Sequence, residues 1–230
     1  MTWIKICGIT NLEDALLAVD AGADALGFVF YEGSPRKVDP STARQIVEQL
    51  PQRVEKVGVF VNVPETKMAE VVNEVGLTAL QCSVRSQNGF KFGNNVRILV
   101  PLSVPLLLEN QTRLQGLTAE FTRMAEARKP KGGLDTFLLD ASTAERPGGT
   151  GRTFAWRRIV PLVQVMSKSV KVIVAGGLTP ENVGEAMKTL RPWGVDVASG
   201  VEASPGRKDA IKVRAFVRAV RVADGAALRN

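Results

Sequence analysis

Short runs of β-branched and aliphatic residues recur along the chain, and segments with apolar residues at helical spacing separate most of them. This alternation is typical of a parallel sheet in which each strand is followed by a helix. The runs predict eight strands, at Trp3–Cys7, Asp24–Phe30, Lys56–Val61, Leu77–Cys82, Val96–Val100, Asp135–Asp140, Lys171–Ala175 and Val195–Ser199.

Capping residues mark where the intervening helices begin and end. Asn11 can cap a helix by bonding to Asp14, and Thr179 precedes a proline, which favours a helix start. Gly22 and Gly76 follow helical stretches, where a left-handed C-terminal cap is expected. One longer helix is predicted from about Leu108 to Ala127, whereas residues 83–95 show no helical period and are short for a crossover.

Eight β-α units in 230 residues, with no Pro/Ser/Gly-rich linker between them, predict one domain that spans residues 1–230. The expected fold is a closed (β/α)8 TIM barrel, whose usual length is about 200 to 400 residues. A doubly wound open sheet is the alternative.

Composition indicates the class of protein and the compartment in which it works. A hydrophobic content of 45% and a mean hydropathy of +0.03 suit a globular protein with a full core. No apolar run is long enough for a membrane span, and the N-terminus lacks the layout of a secretory signal, so we expect a cytoplasmic protein with no membrane partner. Cys7 and Cys82 are then expected to be free thiols.

The formal net charge is +7, but the basic residues are dispersed and no nucleic-acid-binding signature accompanies them. A mild positive field favours a small anionic substrate. Because the chain has no histidine, Ser-His and Cys-His pairs are excluded, and we expect no metal site. The densest basic cluster is predicted to be the solvated face of a C-terminal helix and comprises Arg207–Lys208, Lys212, Arg214, Arg218 and Arg221.

In such a barrel, functional residues lie where strands end and loops begin. Gly176–Gly177 and Ser199–Gly200 follow the seventh and eighth strands, where main-chain N–H groups can approach a phosphate closely. The alternative is that these glycines only allow tight turns. The other strand-end candidates are Cys7, Ser34–Arg36, Gln81–Cys82, Asp140 and residues 148–151.

Three of these side chains could carry chemistry. Asp140 ends an apolar strand, where partial burial would raise its pKa and suit a general acid; alternatively it caps its own loop. Cys7 could be the opposing base, or simply a buried structural cysteine. Arg36 offers a planar fork for a carboxylate, or is an exposed loop arginine.

These residues lie within motifs that resemble the phosphoribosylanthranilate isomerase family, (β/α)8 enzymes of tryptophan biosynthesis. The matches run in order over nearly the whole chain. They are Lys5-Ile6-Cys7-Gly8-Ile9-Thr10, Ser34-Pro35-Arg36, Gly58-Val59-Phe60-Val61, Leu138-Leu139-Asp140, Gly148-Gly149-Thr150-Gly151 with Phe154 and Trp156, Ala175-Gly176-Gly177-Leu178, and Asp196 through Glu202.

The resemblance implies an Amadori rearrangement of N-(5-phosphoribosyl)anthranilate, a small phosphosugar, with no cofactor. Asp140 would protonate the ring oxygen, Cys7 would remove a proton from ribose C2, and Arg36 would hold the carboxylate. Gly176, Gly177, Ser199 and Gly200 would bind phosphate, and Gly149 would lie in a loop over the sugar. We expect a monomer or a weak homodimer.

One departure from the family pattern is Gln81-Cys82-Ser83-Val84, where the family usually has Gln-Leu-His-Gly. The missing histidine is not one of the two implied catalytic groups, and we expect Cys82 to be structural. Two other functions stay open: another phosphate-binding barrel enzyme, such as indole-glycerol-phosphate synthase or an epimerase, and a phosphosugar-binding module without activity.

Overall fold

The computed structural model describes residues 1–83, 96–127, 135–141 and 153–227. Eight parallel strands close into a barrel in chain order, and the eighth strand pairs with the first. The barrel confirms the predicted fold and its eight strands and rules out the open sheet. The strands are β1 (Trp3–Cys7), β2 (Ala25–Val29), β3 (Glu55–Val59), β4 (Ala79–Gln81), β5 (Arg97–Ser103), β6 (Thr136–Asp140), β7 (Lys171–Val174) and β8 (Gly194–Val197).

Helices cover the outside of the barrel. They are α1 (Leu12–Ala21), α2 (Pro40–Val47), α3 (Glu65–Val75), α4 (Val104–Glu109), α5 (Gln111–Ala127), α6 (Trp156–Met166), α7 (Val183–Leu190) and α8 (Ala210–Ala227). Between β8 and α8 lie one 3₁₀ turn, Ser199–Val201, and an antiparallel hairpin of β9 (Glu202–Ser204) and β10 (Arg207–Lys208). In the part of the chain that the structure describes, no helix is long and apolar enough to cross a membrane.

The alternation of side chains along each strand produces two cores. On β1, Ile4 and Ile6 are fully buried against the helix layer. The next residues along, such as Lys5 and Cys7, face the barrel interior. Small and branched residues fill the middle of that interior: Ala25, Val57, Ala79, Leu99, Leu138, Ile173 and Ala175.

Three of the predicted helix ends are confirmed. The Asn11 carboxamide oxygen accepts a hydrogen bond of 2.9 Å from the main-chain N–H of Asp14. Gly22 and Gly76 end α1 and α3 with φ angles of 101° and 77°, a left-handed conformation that glycine adopts without strain.

The predicted helix start after Thr179 is wrong. Helix α7 begins at Val183, because the Asn182 side chain organises the preceding residues as a turn. Its oxygen accepts from the Thr179 N–H at 2.8 Å, and its nitrogen donates to the Gly177 carbonyl at 2.9 Å.

The single predicted helix from Leu108 to Ala127 is also wrong, because two helices occupy this region. Asn110 breaks them with an extended backbone (φ −119°, ψ 90°), and its side chain accepts from the Arg113 N–H at 2.9 Å. Helix α4 starts earlier than predicted because the Ser103 hydroxyl caps it. Most of the irregular segment 83–95 lies outside the described residues.

Candidate active site

A cavity of about 350 Å³ opens at the carboxyl ends of the barrel strands. All of the predicted site residues that the structure describes contribute to its lining: Cys7, Arg36, Asp140, Gly176, Gly177, Ser199 and Gly200. Gly149, with residues 148–151, lies outside the described residues. The structure therefore places the predicted acid, base and anion-binding groups around one space.

Two glycines make room for the side chains around Cys7. Gly27 of β2 lies against the thiol, since a Cβ there would be 2.6 Å from the Cys7 sulfur. Gly8 turns the chain outward with φ +79°, and a Cβ there would be 2.6 Å from Cδ of Arg36. The glycine after Cys7 thus serves both a left-handed turn and the close approach of the Arg36 stem.

A buried lysine lies on the same face of β1 as Cys7. The Lys5 ammonium, fully enclosed, donates to the Gln81 side chain at 2.9 Å and to the Asp196 carboxylate at 3.1 Å. The second carboxylate oxygen of Asp196 is buried with no hydrogen-bond partner among the described residues. Asp196 and Gln81 line the cavity, so this polar group forms its floor.

Electrostatics at Cys7 are a balance of opposing effects. Burial raises the pKa of the thiol, while the Lys5 ammonium acts against that rise, Asp196 adds to it and Lys208 lowers it again. The net pKa lies above the ordinary value for cysteine. Cys7 is therefore mostly a neutral thiol at neutral pH, and the charges of Lys5 and Lys208 favour its thiolate when it forms.

Asp140 ends β6 beside the loop that follows β7. The side chain is half-buried, and a Cβ on Gly176 would lie 2.9 Å from its Oδ1 atom. That Cβ would also be 2.5 Å from the Ala141 nitrogen, and the φ of Gly176 is +82°. Gly176 is thus required for the β7 loop to pack directly on the end of β6, next to Asp140.

The two glycine-bearing loops contact each other. A Cβ on Gly200 would be 1.8 Å from the Leu178 carbonyl oxygen, so only glycine fits at this crossing. Gly177 has φ +64°, and the Asn182 side chain described above holds its carbonyl. These glycines do allow tight turns, as the alternative interpretation held, and they also expose main-chain groups at the cavity wall.

The interpretation of Arg36 as an exposed loop residue is wrong, because Arg36 is only 8% exposed. Its Nε and Nη2 atoms donate to the two carboxylate oxygens of Glu202, at 2.9 and 2.8 Å. Glu202 also accepts from the Lys208 ammonium at 2.9 Å. Burial opposes ionisation of Glu202, but the bonds and charges of Arg36 and Lys208 outweigh it and lower the pKa of the carboxyl.

The prediction that Arg207 and Lys208 lie on the solvated face of a helix is wrong. They form β10, and the Lys208 side chain is buried. The helical spacing of the basic residues could not reveal that Lys208 forms an ion pair with Glu202, which belongs to the preceding strand. The rest of the cluster does lie in α8, although Lys212 bonds the Glu202 carbonyl at 2.8 Å.

Sequence reasoning assigned no role in the site to four residues that the structure places there: Lys5, Asp196, Glu202 and Lys208. The alternation of β1 could have indicated Lys5, because a lysine two residues before Cys7 must share its face. Cys82 is buried in the core between barrel and helices, as a structural cysteine would be. Within the described ranges, no cluster of three or more His, Cys, Asp or Glu side chains could hold a metal ion.

Comparison with known proteins agrees with this arrangement. A family model described as "N-(5'phosphoribosyl)anthranilate (PRA) isomerase" matches residues 4–219. The chain is 42% identical over 218 residues to an N-(5'-phosphoribosyl)anthranilate isomerase of Pelobacter propionicus, covering 95% of both proteins.

Solved structures give the same result. The phosphoribosyl anthranilate isomerase of Thermotoga maritima superposes with a TM-score of 0.78 at 38% identity, covering 96% of this chain and 100% of that one. A second isomerase structure has a TM-score of 0.75 at 36% identity, with the same coverage. It was solved in complex with reduced 1-(o-carboxyphenylamino)-1-deoxyribulose 5-phosphate. The chain belongs to the N-(5'-phosphoribosyl)anthranilate isomerase family.

Proposed function

We propose that this chain rearranges N-(5-phosphoribosyl)anthranilate to 1-(2-carboxyphenylamino)-1-deoxyribulose 5-phosphate, with Cys7 as general base and Asp140 as general acid. The observation that carries the residue roles is the placement of these two side chains on β1 and β6, around one cavity. The complex of a family member with a reduced form of the product supports a phosphosugar as the substrate.

The reaction requires only proton transfers. Asp140 donates a proton to the furanose ring oxygen, the bond from C1 to that oxygen breaks, and the nitrogen lone pair forms a Schiff base. The Cys7 thiolate then takes the C2 proton, and the C2–H electrons form a C1–C2 double bond while the nitrogen becomes neutral. The resulting enol gains a proton at C1 and loses its hydroxyl proton to become the ketone.

The ends of the substrate carry negative charge, and the cavity offers a group for each. Arg36 would bind the anthranilate carboxylate by charge-assisted hydrogen bonds. Main-chain N–H groups of Gly176 and Gly177, together with Ser199 and Gly200, would bind the phosphate. Gly149 would lie in a loop that covers the sugar.

The decisive experiment follows the loss of substrate fluorescence during turnover. Cys7→Ser should lower kcat by about 10²-fold or more, because general-base catalysis contributes about that factor. Asp140→Asn should have a comparable effect. Cys82→Ser is the matched control, since it removes the other buried thiol away from the cavity, and its kcat should be unchanged.

Two results would contradict the proposal. Equal losses of kcat in Cys7→Ser and Cys82→Ser would mean that both thiols serve packing. Binding of inorganic phosphate without any turnover by the wild-type chain would identify a phosphosugar-binding module instead.

We further propose that the protein works in the cytoplasm, in keeping with two free buried thiols, and that it is a monomer or a weak homodimer. Sedimentation velocity over a range of concentrations tests the second statement. A dimer that persists on dilution to nanomolar concentration would contradict it.

A further inference from the structure

The guanidinium group of Arg36 has two edges that can each bind a carboxylate. Its five N–H donors lie in one plane, and a carboxylate can meet either the Nε and Nη2 edge or the Nη1 and Nη2 edge. Glu202 occupies the first edge through both of its oxygens. Nη1 takes no part in these bonds, and Arg36 lines the cavity.

Glu202 is itself held rigidly. Besides Arg36, its carboxylate accepts from the Lys208 ammonium at 2.9 Å and from the Gly206 N–H at 3.3 Å. Its side chain is buried. A fully bonded carboxylate in this position leaves the arginine little freedom to rotate, because turning it would break two charge-assisted hydrogen bonds at once.

Lys208 connects this ion pair to the strand that carries Cys7. Its ammonium donates to the Cys7 carbonyl at 2.6 Å and approaches the Ala198 carbonyl at 3.4 Å. Arg36 is therefore held in place relative to the ends of β1 and β8, two paired strands whose last residues line the cavity.

The charges within the cluster are already balanced. Arg36 and Lys208 contribute two positive charges, Glu202 contributes one negative charge, and the nearby buried Asp14, whose carboxylate accepts from the main-chain N–H of Lys208 at 2.9 Å, contributes another. What remains available to a ligand is therefore a hydrogen-bonding edge and not an excess of charge. The ammonium of Lys208 is bonded to other groups, so the second edge of Arg36 is left for a carboxylate from outside.

We propose that Glu202 is a positioning residue: by holding one edge of Arg36, it directs the other edge into the cavity and so determines the preference for a phosphosugar that bears a carboxylate. This inference rests on the proposed role of Arg36 as the carboxylate-binding residue. The chain order suggests one alternative: Glu202 follows Ser199 and Gly200 closely, and in that role it braces the phosphate-binding loop. The two roles predict different losses.

The test is Glu202→Gln, assayed for turnover and for competitive inhibition by inorganic phosphate. Replacing one oxygen by an amide group removes an acceptor and turns an N–H toward the arginine. KM should rise about 10-fold or more, the usual effect of losing a charge-assisted hydrogen bond. Since this binding is shared by ground and transition states, kcat should stay within about threefold, and inhibition by phosphate within about twofold.

Glu55→Gln is the matched control, because Glu55 also pairs with an arginine, Arg97, but at the opposite end of the barrel. Its KM should equal that of the wild type. In an Arg36→Ala background, Glu202→Gln should raise KM no further, because there is no guanidinium left to position.

The outcomes separate the inference from the function on which it rests. If Arg36→Ala leaves KM unchanged, the proposed carboxylate site fails and the inference fails with it. If Arg36→Ala raises KM but Glu202→Gln does not, only the inference fails. If Glu202→Gln weakens inhibition by phosphate as much as it raises KM, Glu202 braces the phosphate loop instead.

Arg36→Lys keeps the test decisive even where Glu202→Gln does not fold. Lysine retains the charge and the partner of Glu202 but has no second edge, so its KM should approach that of Arg36→Ala. A KM equal to that of the wild type in Arg36→Lys would overturn the inference, because charge alone would then suffice.

Discussion

Lys5 is the residue whose position most changes the chemistry expected of Cys7. A thiol buried without cations nearby would stay protonated far above neutral pH, and Lys5 is the largest effect that opposes burial. The alternation of β1 places Lys5 on the same face as Cys7, but its partners, Gln81 and Asp196, come from strands distant along the chain and could not be predicted from the sequence.

Lys5→Met should therefore raise the pKa of Cys7 further. With Lys5 gone, Lys208 remains as the cation acting on the thiol and Asp196 as the anion. The rate of thiol alkylation and kcat/KM should both begin to rise at a higher pH than in the wild type. Lys5→Arg, which keeps the positive charge, should restore the wild-type dependence of both on pH. A profile that does not move in the folded Lys5→Met variant would show that Lys5 serves only to fill the barrel.

Cys82 should make the free energy of unfolding fall as the pH rises into the alkaline range. Burial raises its pKa to about 11, from an ordinary value of 9.0. The folded state thus keeps a proton that the unfolded chain loses, so this stabilisation is complete below about pH 9 and is lost toward pH 11, by up to about 3 kcal/mol.

Cys82→Ala should flatten this loss. The comparison is the change in free energy of unfolding by urea between about pH 8 and about pH 10.5 in each protein, which cancels the constant effect of the smaller side chain. Cys7, whose pKa is also raised, leaves some alkaline dependence in the variant. Identical changes in the variant and the wild type would mean that Cys82 titrates normally.

At the scale of elements, local pattern predicts the strands well and the loop geometry poorly. The eight strands can be predicted because alternation and composition within a short stretch of sequence are enough to indicate a strand, whichever strand it pairs with. Strand β10 has only two residues, and its formation depends on a buried ion pair with Glu202. Likewise, a proline after Thr179 indicates a helix start, but the bonds of Asn182 decide that the helix begins later.

Asn182 gives a prediction for the loop after β7. Asn182→Ala removes the two bonds that hold Gly177 and Thr179, so the phosphate-binding main chain should become less ordered. We expect inhibition by inorganic phosphate to weaken about 5- to 10-fold, corresponding to about 0.5 kcal/mol for each of the two lost hydrogen bonds.

Asn110→Ala is the control for that experiment, because Asn110 also bonds a main-chain N–H near a helix start but lies between α4 and α5. It should lower stability slightly and leave phosphate inhibition unchanged. Equal inhibition constants in Asn182→Ala and the wild type would contradict a role for this asparagine in shaping the anion site.

The two ends of the barrel have different roles. The carboxyl ends of the strands surround the cavity, and the amino ends carry a packed cluster of aromatic and charged side chains. At the amino ends of the strands, Trp3 and Trp193 stack with centroids 5.3 Å apart, and Arg97 lies 5.0 and 5.1 Å from the two rings. Glu55 pairs with Arg97 at this end. A cluster at this end stabilises the barrel without touching the cavity, which lies at the other end.

Arg97→Met should separate stability from activity across the molecule. Losing the ion pair and the contacts with both rings should lower the free energy of unfolding by about 2 kcal/mol at neutral pH, with kcat/KM unchanged.

The size of this loss should depend on pH. Burial already raises the pKa of Glu55, while the charge of Arg97 opposes that rise, so the pKa should rise further in the variant. A carboxyl whose folded pKa exceeds its unfolded pKa stabilises the fold at low pH and loses that contribution as pH rises, so the deficit should shrink at about pH 4. Urea unfolding of both proteins at about pH 4 and about pH 7 measures this; a deficit equal at both, or a parallel loss of turnover, would contradict the separation.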